Sequence, residues 1–360
     1  MKLIAFYLPQ YHSIPENDEW WGEGFTEWTN TTKAKPIFED QNQPREPLND
    51  NYYNLLDDNV KLWQADLAKE YGIYGFCYYH YWFNGKMVLE KPLEQVLKNK
   101  KVDLPFCISW ANEPWTRAWD GKTNEVLLSQ DYGDKSDWVK HYDYLKQFFF
   151  DNRYIKIDNK PLVVIYKLQS IPNRDEMIDC WNKLAIESGF NGIYLVETLN
   201  GLQKESCSNK SEAVIEFEPN YTIHYDMQVI DKLKNKAKNI IMMGKKGKFF
   251  YKTKDYDIVW KRILKRSTKI EGKKVFPGAF IDWDNTARKG ENALVFDGAT
   301  PEKFEKYLTK QIKKAKEEYN SEFVFINAWN EWAEGTYLEP DKVNGHKYIE
   351  SVKKAIDANK

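Results

Sequence analysis

Two glutamates three residues apart, Glu331 and Glu334, stand in the segment Ala328-Trp329-Asn330-Glu331-Trp332-Ala333-Glu334-Gly335. A pair of carboxyl groups that close can divide proton work, one giving up a proton while the other takes one. Other segments carry side chains of the same character. Trp110-Ala111-Asn112-Glu113-Pro114-Trp115 leads into Arg117 and Trp119-Asp120, and a second run reads Asp282-Trp283-Asp284-Asn285. Gln10, Tyr11 and His12, then His80, Tyr81 and Trp82, add hydrogen-bonding groups and rings. Asp, Glu and Asn bind hydroxyls while Trp stacks on CH-rich ring faces, so the set suits a sugar. One such acid alone is more often a helix cap. The repetition of the pattern is what asks for another reason.

These groups need a frame that brings them to one place. Eight short apolar runs supply it: Leu3–Leu8, Ile73–Tyr79, Pro105–Trp110, Leu162–Tyr166, Ile193–Glu197, Ala213–Phe217, Val275–Ile281 and Phe323–Asn327. Several are nearly continuous in Ile, Val, Phe and Tyr, as strands buried on both faces must be. Amphipathic stretches at Asn54–Glu70, Asp134–Phe150, Asp175–Ser188, Pro301–Tyr319 and Lys347–Ala358 alternate with them. The alternation predicts an α/β protein, a single-domain (β/α)8 TIM barrel over residues 1–360, with a doubly wound sheet as the competitor. In such a barrel the strand ends build the active site, and each polar group named above follows a strand. Glu197, Glu216 and Glu218 end the fifth and sixth runs and belong to the same set.

Two segments break the rhythm. Residues 9–53 form a long excursion rich in Pro, Gly and aromatics, which is expected to fold over the carboxyl-end rim. Residues 230–274 are Lys-rich and read as a helix plus surface loop with a solvated face. The aromatic share, 16 % from 14 Trp, 23 Tyr and 19 Phe, fits either a large core or a sugar cleft. At least three of Trp82, Trp115, Trp119, Trp283 and Trp332 are expected beside Glu331.

The remaining features narrow the class. A net charge of -1 gives no field that would recruit nucleic acid. Four cysteines without CxxC spacing read as reduced thiols, and the short apolar start before Pro9 is no signal-peptide core, so a cytoplasmic protein is expected. No run approaches a membrane span. The five histidines form no HxH or HExxH pair, and Asp282-x-Asp284 is a weak cation signal, so no metal is assigned. The chain lacks GxGxxG, a phosphate loop and GxSxG, and no cofactor is expected.

Six segments carry a family resemblance. They are Phe6-Tyr7-Leu8-Pro9-Gln10-Tyr11-His12, Trp20-Trp21-Gly22-x-Gly24-Phe25-Thr26-Glu27-Trp28, Tyr79-His80-Tyr81-Trp82-Phe83-Asn84-Gly85, Trp110-Ala111-Asn112-Glu113, Trp283-Asp284-Asn285-Thr286-Ala287-Arg288 and the Glu331/Glu334 segment. Together they resemble the WbsX-like family, related to glycoside hydrolase family 99, the endo-α-mannosidases. The resemblance implies a (β/α)8 barrel and a setting in bacterial O-antigen or capsule clusters. It makes Glu331 the base and Glu334 the general acid/base of an endo-acting, retaining glycoside hydrolase. Tyr11, His12, Trp28, His80, Trp82, Trp110, Asn112, Glu113, Trp115, Trp119, Asp282, Trp283, Asp284, Asn330 and Trp332 become the substrate-binding set. Family 99 has His where this chain has Ala333, so its mannose specificity is not carried over. Ordinary retaining and inverting glycosidases hold carboxyls about 5–5.5 Å or about 6.5–9.5 Å apart, usually drawn from different strands. Two on one loop suit the family 99 route, in which one group takes the sugar 2-OH proton and a 1,2-anhydrosugar forms. The alternatives are a glycosyltransferase of surface-polysaccharide assembly, disfavoured by the missing nucleotide fingerprint, and a non-catalytic sugar-binding barrel.

Overall fold

Nine strand segments of one parallel sheet run along the chain. They are Lys2–Tyr7 (β1), Gly75–Phe83 (β2), Phe106–Trp110 (β3), Lys160–Ile165 (β4), Tyr194–Leu199 (β5), Ala213–Glu216 (β6), Lys274–Phe276 (β7), Gly278–Phe280 (β8) and Phe323–Asn327 (β9). The computed structural model describes residues 1–117, 125–246 and 252–360. Spatial order is β7-β6-β5-β4-β3-β2-β1-β9-β8. β7 and β8 are two halves of one barrel strand, interrupted at Pro277, which has no N–H to give a ladder. The first half pairs with β6 and the second with β9, so chain continuity through Pro277 closes a (β/α)8 barrel. The junction is tight: a Cβ on Gly278 would lie 1.8 Å from the Glu216 carbonyl oxygen.

The sequence explains why these elements form. Strand residues are buried almost without a break, as the continuous apolar runs require. Aromatic rings fill the barrel, with Phe6 centred 5.0 Å from Phe217 and 5.6 Å from Tyr79. Crossover helices begin at side-chain caps. Asp57 accepts from the Asn59 N–H, Asp134 from Ser136 and Asp137, and Thr300 from Lys303 with Pro301 just inside the helix.

The repeat is less regular than the alternation suggests. Helices Asp58–Glu70, Lys91–Lys98, Lys135–Phe149, Arg174–Glu187, Val229–Lys246, Tyr256–Lys265, Pro301–Glu317 and Lys347–Asp357 cover the barrel. No helix connects β5 to β6; a polar loop through residues 200–212 does so. Its Ser206 and Ser211 hydroxyls, Gln203 amide and Cys207 N–H all donate to the buried Glu197 carboxylate. The Lys-rich segment also holds a short strand, Lys252–Asp255, paired in parallel with Leu294–Asp297. A two-stranded pair of that kind gives too little apolar alternation to be seen in sequence.

The excursion after β1 lies on the carboxyl-end rim, the face that holds Glu331. Its helices Pro15–Trp21 and Glu27–Lys33 lead into a stretch tied to the late strand ends. Arg45 bonds Asp282 at 2.9 Å, Gln41 bonds Asp284 at 2.9 Å, and the Leu48 N–H donates to Pro340 O. All four cysteines are free, and Cys77 and Cys107 are buried side by side on β2 and β3. Among the described residues no helix is long and apolar enough to cross a membrane.

Candidate active site

The chain leaves β9 through a tight hairpin that carries both glutamates. Asn330–Glu331 pairs antiparallel with Thr336–Tyr337, and one 3₁₀ turn, Trp332–Glu334, joins them. Both glutamates turn to the same side, where they meet one arginine. Gly335 closes it with φ 66°, and a Cβ there would lie 2.8 Å from the Asp284 nitrogen. That nitrogen donates to Glu334 O at 2.8 Å, stitching the hairpin to the end of β8.

Beneath the hairpin is a polar and aromatic bed. The Asn330 amide accepts from the Leu8 N–H at 2.8 Å and donates to Leu8 O at 3.0 Å, and the Tyr11 hydroxyl donates to Asn330 O. Trp332 stacks on Tyr337 with centroids 3.8 Å apart, and Trp28 packs 5.3 Å from Trp332. One buried carboxylate gathers these parts. Glu339 accepts from Trp332 Nε1 at 2.7 Å, Trp329 Nε1 at 2.9 Å, the Tyr53 hydroxyl at 2.8 Å and Gln64 Nε2 at 2.7 Å. Burial pushes Glu339 up to about 7 against the pull of those donors. Glu339→Gln turns one acceptor into an N–H₂ facing other donors. A stability loss of about 1–3 kcal/mol is expected, read by chemical denaturation. An unchanged midpoint would show that the hub holds nothing.

Above the hairpin the two glutamates meet one cation. Arg288 reaches Glu331 at 3.1 Å and Glu334 at 2.5 Å, and its Nε donates to Glu27 at 2.8 Å. Glu27 is fully buried at the start of its helix. One guanidinium therefore faces three carboxylates. Burial raises Glu331 to about 8, opposed by Arg288 and helped by the nearby charge of Glu334. Glu334 is raised for the same first reason and likewise opposed by Arg288. Groups coupled this way titrate as a unit, and burial favours holding a proton on the pair.

A cavity of about 260 Å³ opens over the pair. Its walls include Tyr79, Tyr81, Glu113, Trp115, Tyr166, Phe217, Asn220 and Trp283 with Arg288, Glu331 and Glu334. Burial, the largest cause, holds the Tyr79, Tyr81 and Tyr166 hydroxyls above their ordinary value, so they stay protonated. The indole N–H of Trp283 is buried without a partner in the protein.

The other residues singled out in sequence lie around this cavity. Of the five tryptophans, Trp115 and Trp283 line it, Trp82 and Trp332 do not, and Trp119 lies outside the described residues. Trp82 stacks on His141 at 4.5 Å and donates to Asp137, while Trp110 donates to Trp82 O. His80 and His141 share a hydrogen bond of 2.9 Å, and burial lowers His80 to about 3, leaving it neutral. His12 is buried against Pro9 O and lowered to about 4, again by burial. Asn112 clamps Lys167 by its main chain, and Trp28 donates to Tyr53 O. The Arg45 guanidinium stands 2.9 Å from Asp282 and 3.9 Å from Asp284. Glu216 and Glu218 are taken by Arg266 on the barrel wall. Most polar atoms of these strand-end groups are bonded to protein partners, whereas His12 Nε2 is buried without one among the described residues. Arg288, Glu27 and Glu339 were not singled out in sequence. The first two lay inside quoted motifs, but nothing in a linear reading pairs them. Among the described residues no three His, Cys, Asp or Glu are grouped to hold a metal.

The family model described as glycosyltransferase WbsX matches residues 3–352. The chain belongs to the WbsX family. An uncharacterized protein WxcX from Xanthomonas campestris pv. campestris is 32 % identical over 358 residues, 98 % of this chain and 49 % of that protein. The chain thus spans about half the length of the curated relatives it matches. A solved glycoside hydrolase-like protein superposes with a TM-score of 0.62 at 12 % identity, over 98 % of this chain and 93 % of the other. The GH99 endo-alpha-mannosidase of Bacteroides thetaiotaomicron gives a TM-score of 0.60 at 12 % identity, over 99 % and 96 %. At that identity the likeness is one of fold.

Proposed function

We propose that this WbsX-family chain is a retaining glycoside hydrolase acting on a bacterial polysaccharide or oligosaccharide. The observation that carries the reading is the pair Glu331 and Glu334, bridged by Arg288 at the wall of a cavity lined by tyrosines and tryptophans. A binding barrel gains nothing from two buried acids sharing a proton. A proton-transfer site needs that state, one group loaded and the other free.

In this reading Glu331 takes the proton of the sugar 2-OH, and O2 attacks C1 from the same sugar. The bond from C1 to the leaving oxygen breaks, and that oxygen takes a proton from Glu334. Water then opens the 1,2-anhydrosugar at C1, losing a proton to Glu334, while O2 recovers its proton from Glu331. Arg288 keeps two acids from both being neutral, because its charge favours one carboxylate. The proton of the empty site must stand on Glu334 once a substrate 2-OH faces Glu331. The transfer needs no cofactor.

A transferase reading has one point in its favour, the printed description of the family. The deciding experiment incubates the chain with a panel of bacterial surface glycans and measures new reducing ends without any nucleotide sugar. Release, lost in Glu334→Gln, supports the hydrolase. No release, together with thermal stabilisation by UDP- or GDP-sugars, would replace it; ligand at 100 times its Kd adds about 2.7 kcal/mol.

The buried, unpaired indole N–H of Trp283, in a residue that lines the cavity, gives a separate check. Trp283→Phe removes a donor with no protein partner, so the fold should keep its melting temperature. KM should rise about fivefold, from a lost hydrogen bond of about 1 kcal/mol. A lower melting temperature with unchanged KM would place the indole in the core.

A further inference from the structure

A concavity larger than the one over Glu331 lies beside it. A cleft of about 670 Å³ lies between helix Glu27–Lys33 and the turn at 286–291. Arg288 lines both it and the smaller cavity, so the two are neighbours across one side chain. A second link runs along the rim. Trp115 borders the cavity and a small recess, and Trp21 borders that recess and the cleft. The recess also holds Gln10, fully buried, with neither amide atom paired.

The lining of the cleft differs from that of the cavity. Trp21 and Phe25 form an aromatic floor, their centroids 5.8 Å apart. Asn30 and Lys33 lie three residues apart on one helix face, and Lys35 and Lys289 join them against a single acid, Glu291. Lys33 and Lys35 have no ion-pair partner among the described residues, and both are exposed. The chain as a whole is at -1, so this local excess of cations is not a spill-over of general charge. An aromatic floor with an amide suits a sugar ring, and unpaired ammonium groups beside it suit a carboxylate on that ring.

We propose that this cleft is a subsite for an acidic sugar unit, whose carboxylate is met by Lys33 and Lys35 while the neighbouring glycosidic bond lies over Glu331 and Glu334. The proposal rests on the glycosidase reading and names its substrate class, an anionic glycan. The glycan runs along the rim past Trp21 and Trp115.

The test uses the full chain carrying Glu331→Gln, so that nothing is turned over. The probes are hexameric oligogalacturonate and its carboxyl-reduced form, identical in length and linkage, followed by calorimetry. The acidic hexamer is expected to bind at least about tenfold more tightly, roughly 1.4 kcal/mol. The preference should vanish in the added double variant Lys33→Gln/Lys35→Gln and shrink severalfold at about 0.5 M salt. Equal binding of both hexamers, binding of neither, or a preference that survives the double variant would overturn the proposal. So would UDP binding more tightly than the acidic hexamer, which would make the cleft a diphosphate site. No readout here uses bond cleavage. A failed glycosidase reading would show only in the product release of the parent chain.

Discussion

Glu331→Gln is expected to lower turnover with every substrate about 10²–10⁴-fold, because the proposed mechanism then lacks its base. Glu334→Gln should behave differently. A substrate whose leaving group needs no proton should restore its first step, whereas no leaving group restores the first variant. The same chemistry sets the response to a 2-deoxy-2-fluoro glycoside. That compound lacks the hydroxyl that becomes the internal nucleophile, so it should be inert and leave the chain unlabelled. Anomeric configuration should still be retained, since closing and opening the anhydrosugar each invert it. Mass spectrometry after incubation with the fluoro-glycoside decides. A stable adduct on Glu331 would restore an ordinary nucleophile and refute the 2-OH route. The hairpin sets both side chains on one side of the loop, which suits the proposed attack at one sugar edge rather than across its ring.

Arg288→Met should have the largest effect on the folded chain. It leaves Glu27, Glu331 and Glu334 without their shared cation, and breaking a buried ion pair from one side typically costs about 3–5 kcal/mol. Denaturant titration measures this. The pH behaviour gives a second, independent sign. Glu331 already stands at about 8 instead of 4.5, so the folded chain holds this proton more tightly than the unfolded one. The stability tied to that proton is complete below the unfolded value. It is lost as pH rises from about 4.5 through about 8. Arg288 lowers both glutamates, so its removal should carry the alkaline limb of activity to higher pH. Glu331→Gln removes the titration altogether and should gain melting temperature over the parent at pH 8 more than at pH 5. A gain that is equal at both pH values would mean the carboxyl is not strained by burial. An alkaline limb that stays in place in Arg288→Met would mean the guanidinium does not tune the pair.

The barrel was written in local pattern. Eight apolar runs fell on the strands within a few residues, because a strand buried on both faces has no room for polar alternation. The segment Asn330 to Gly335 stood out too, as six consecutive residues with two acids on one expected loop; its hairpin did not. The missing fifth helix, the split at Pro277 and the strand Lys252–Asp255 were not legible, for each is settled by what packs against it. The roles of the strand-end groups diverged for a similar reason. His80, Trp82, Asn112 and Asp282 follow strand ends as Trp283 does, yet their polar atoms are bonded to His141, Asp137, Lys167 and Arg45. Sequence by itself determined the barrel architecture and singled out Glu331 and Glu334 as the acids the proposal rests on. Tertiary structure decided their electrostatics, because the charge that governs Glu331 and Glu334 comes from Arg288, steadied by Glu27 across 261 residues of chain. A carboxyl's proton affinity depends on burial and on charges within a few ångströms, and neither is a property of its neighbours in sequence.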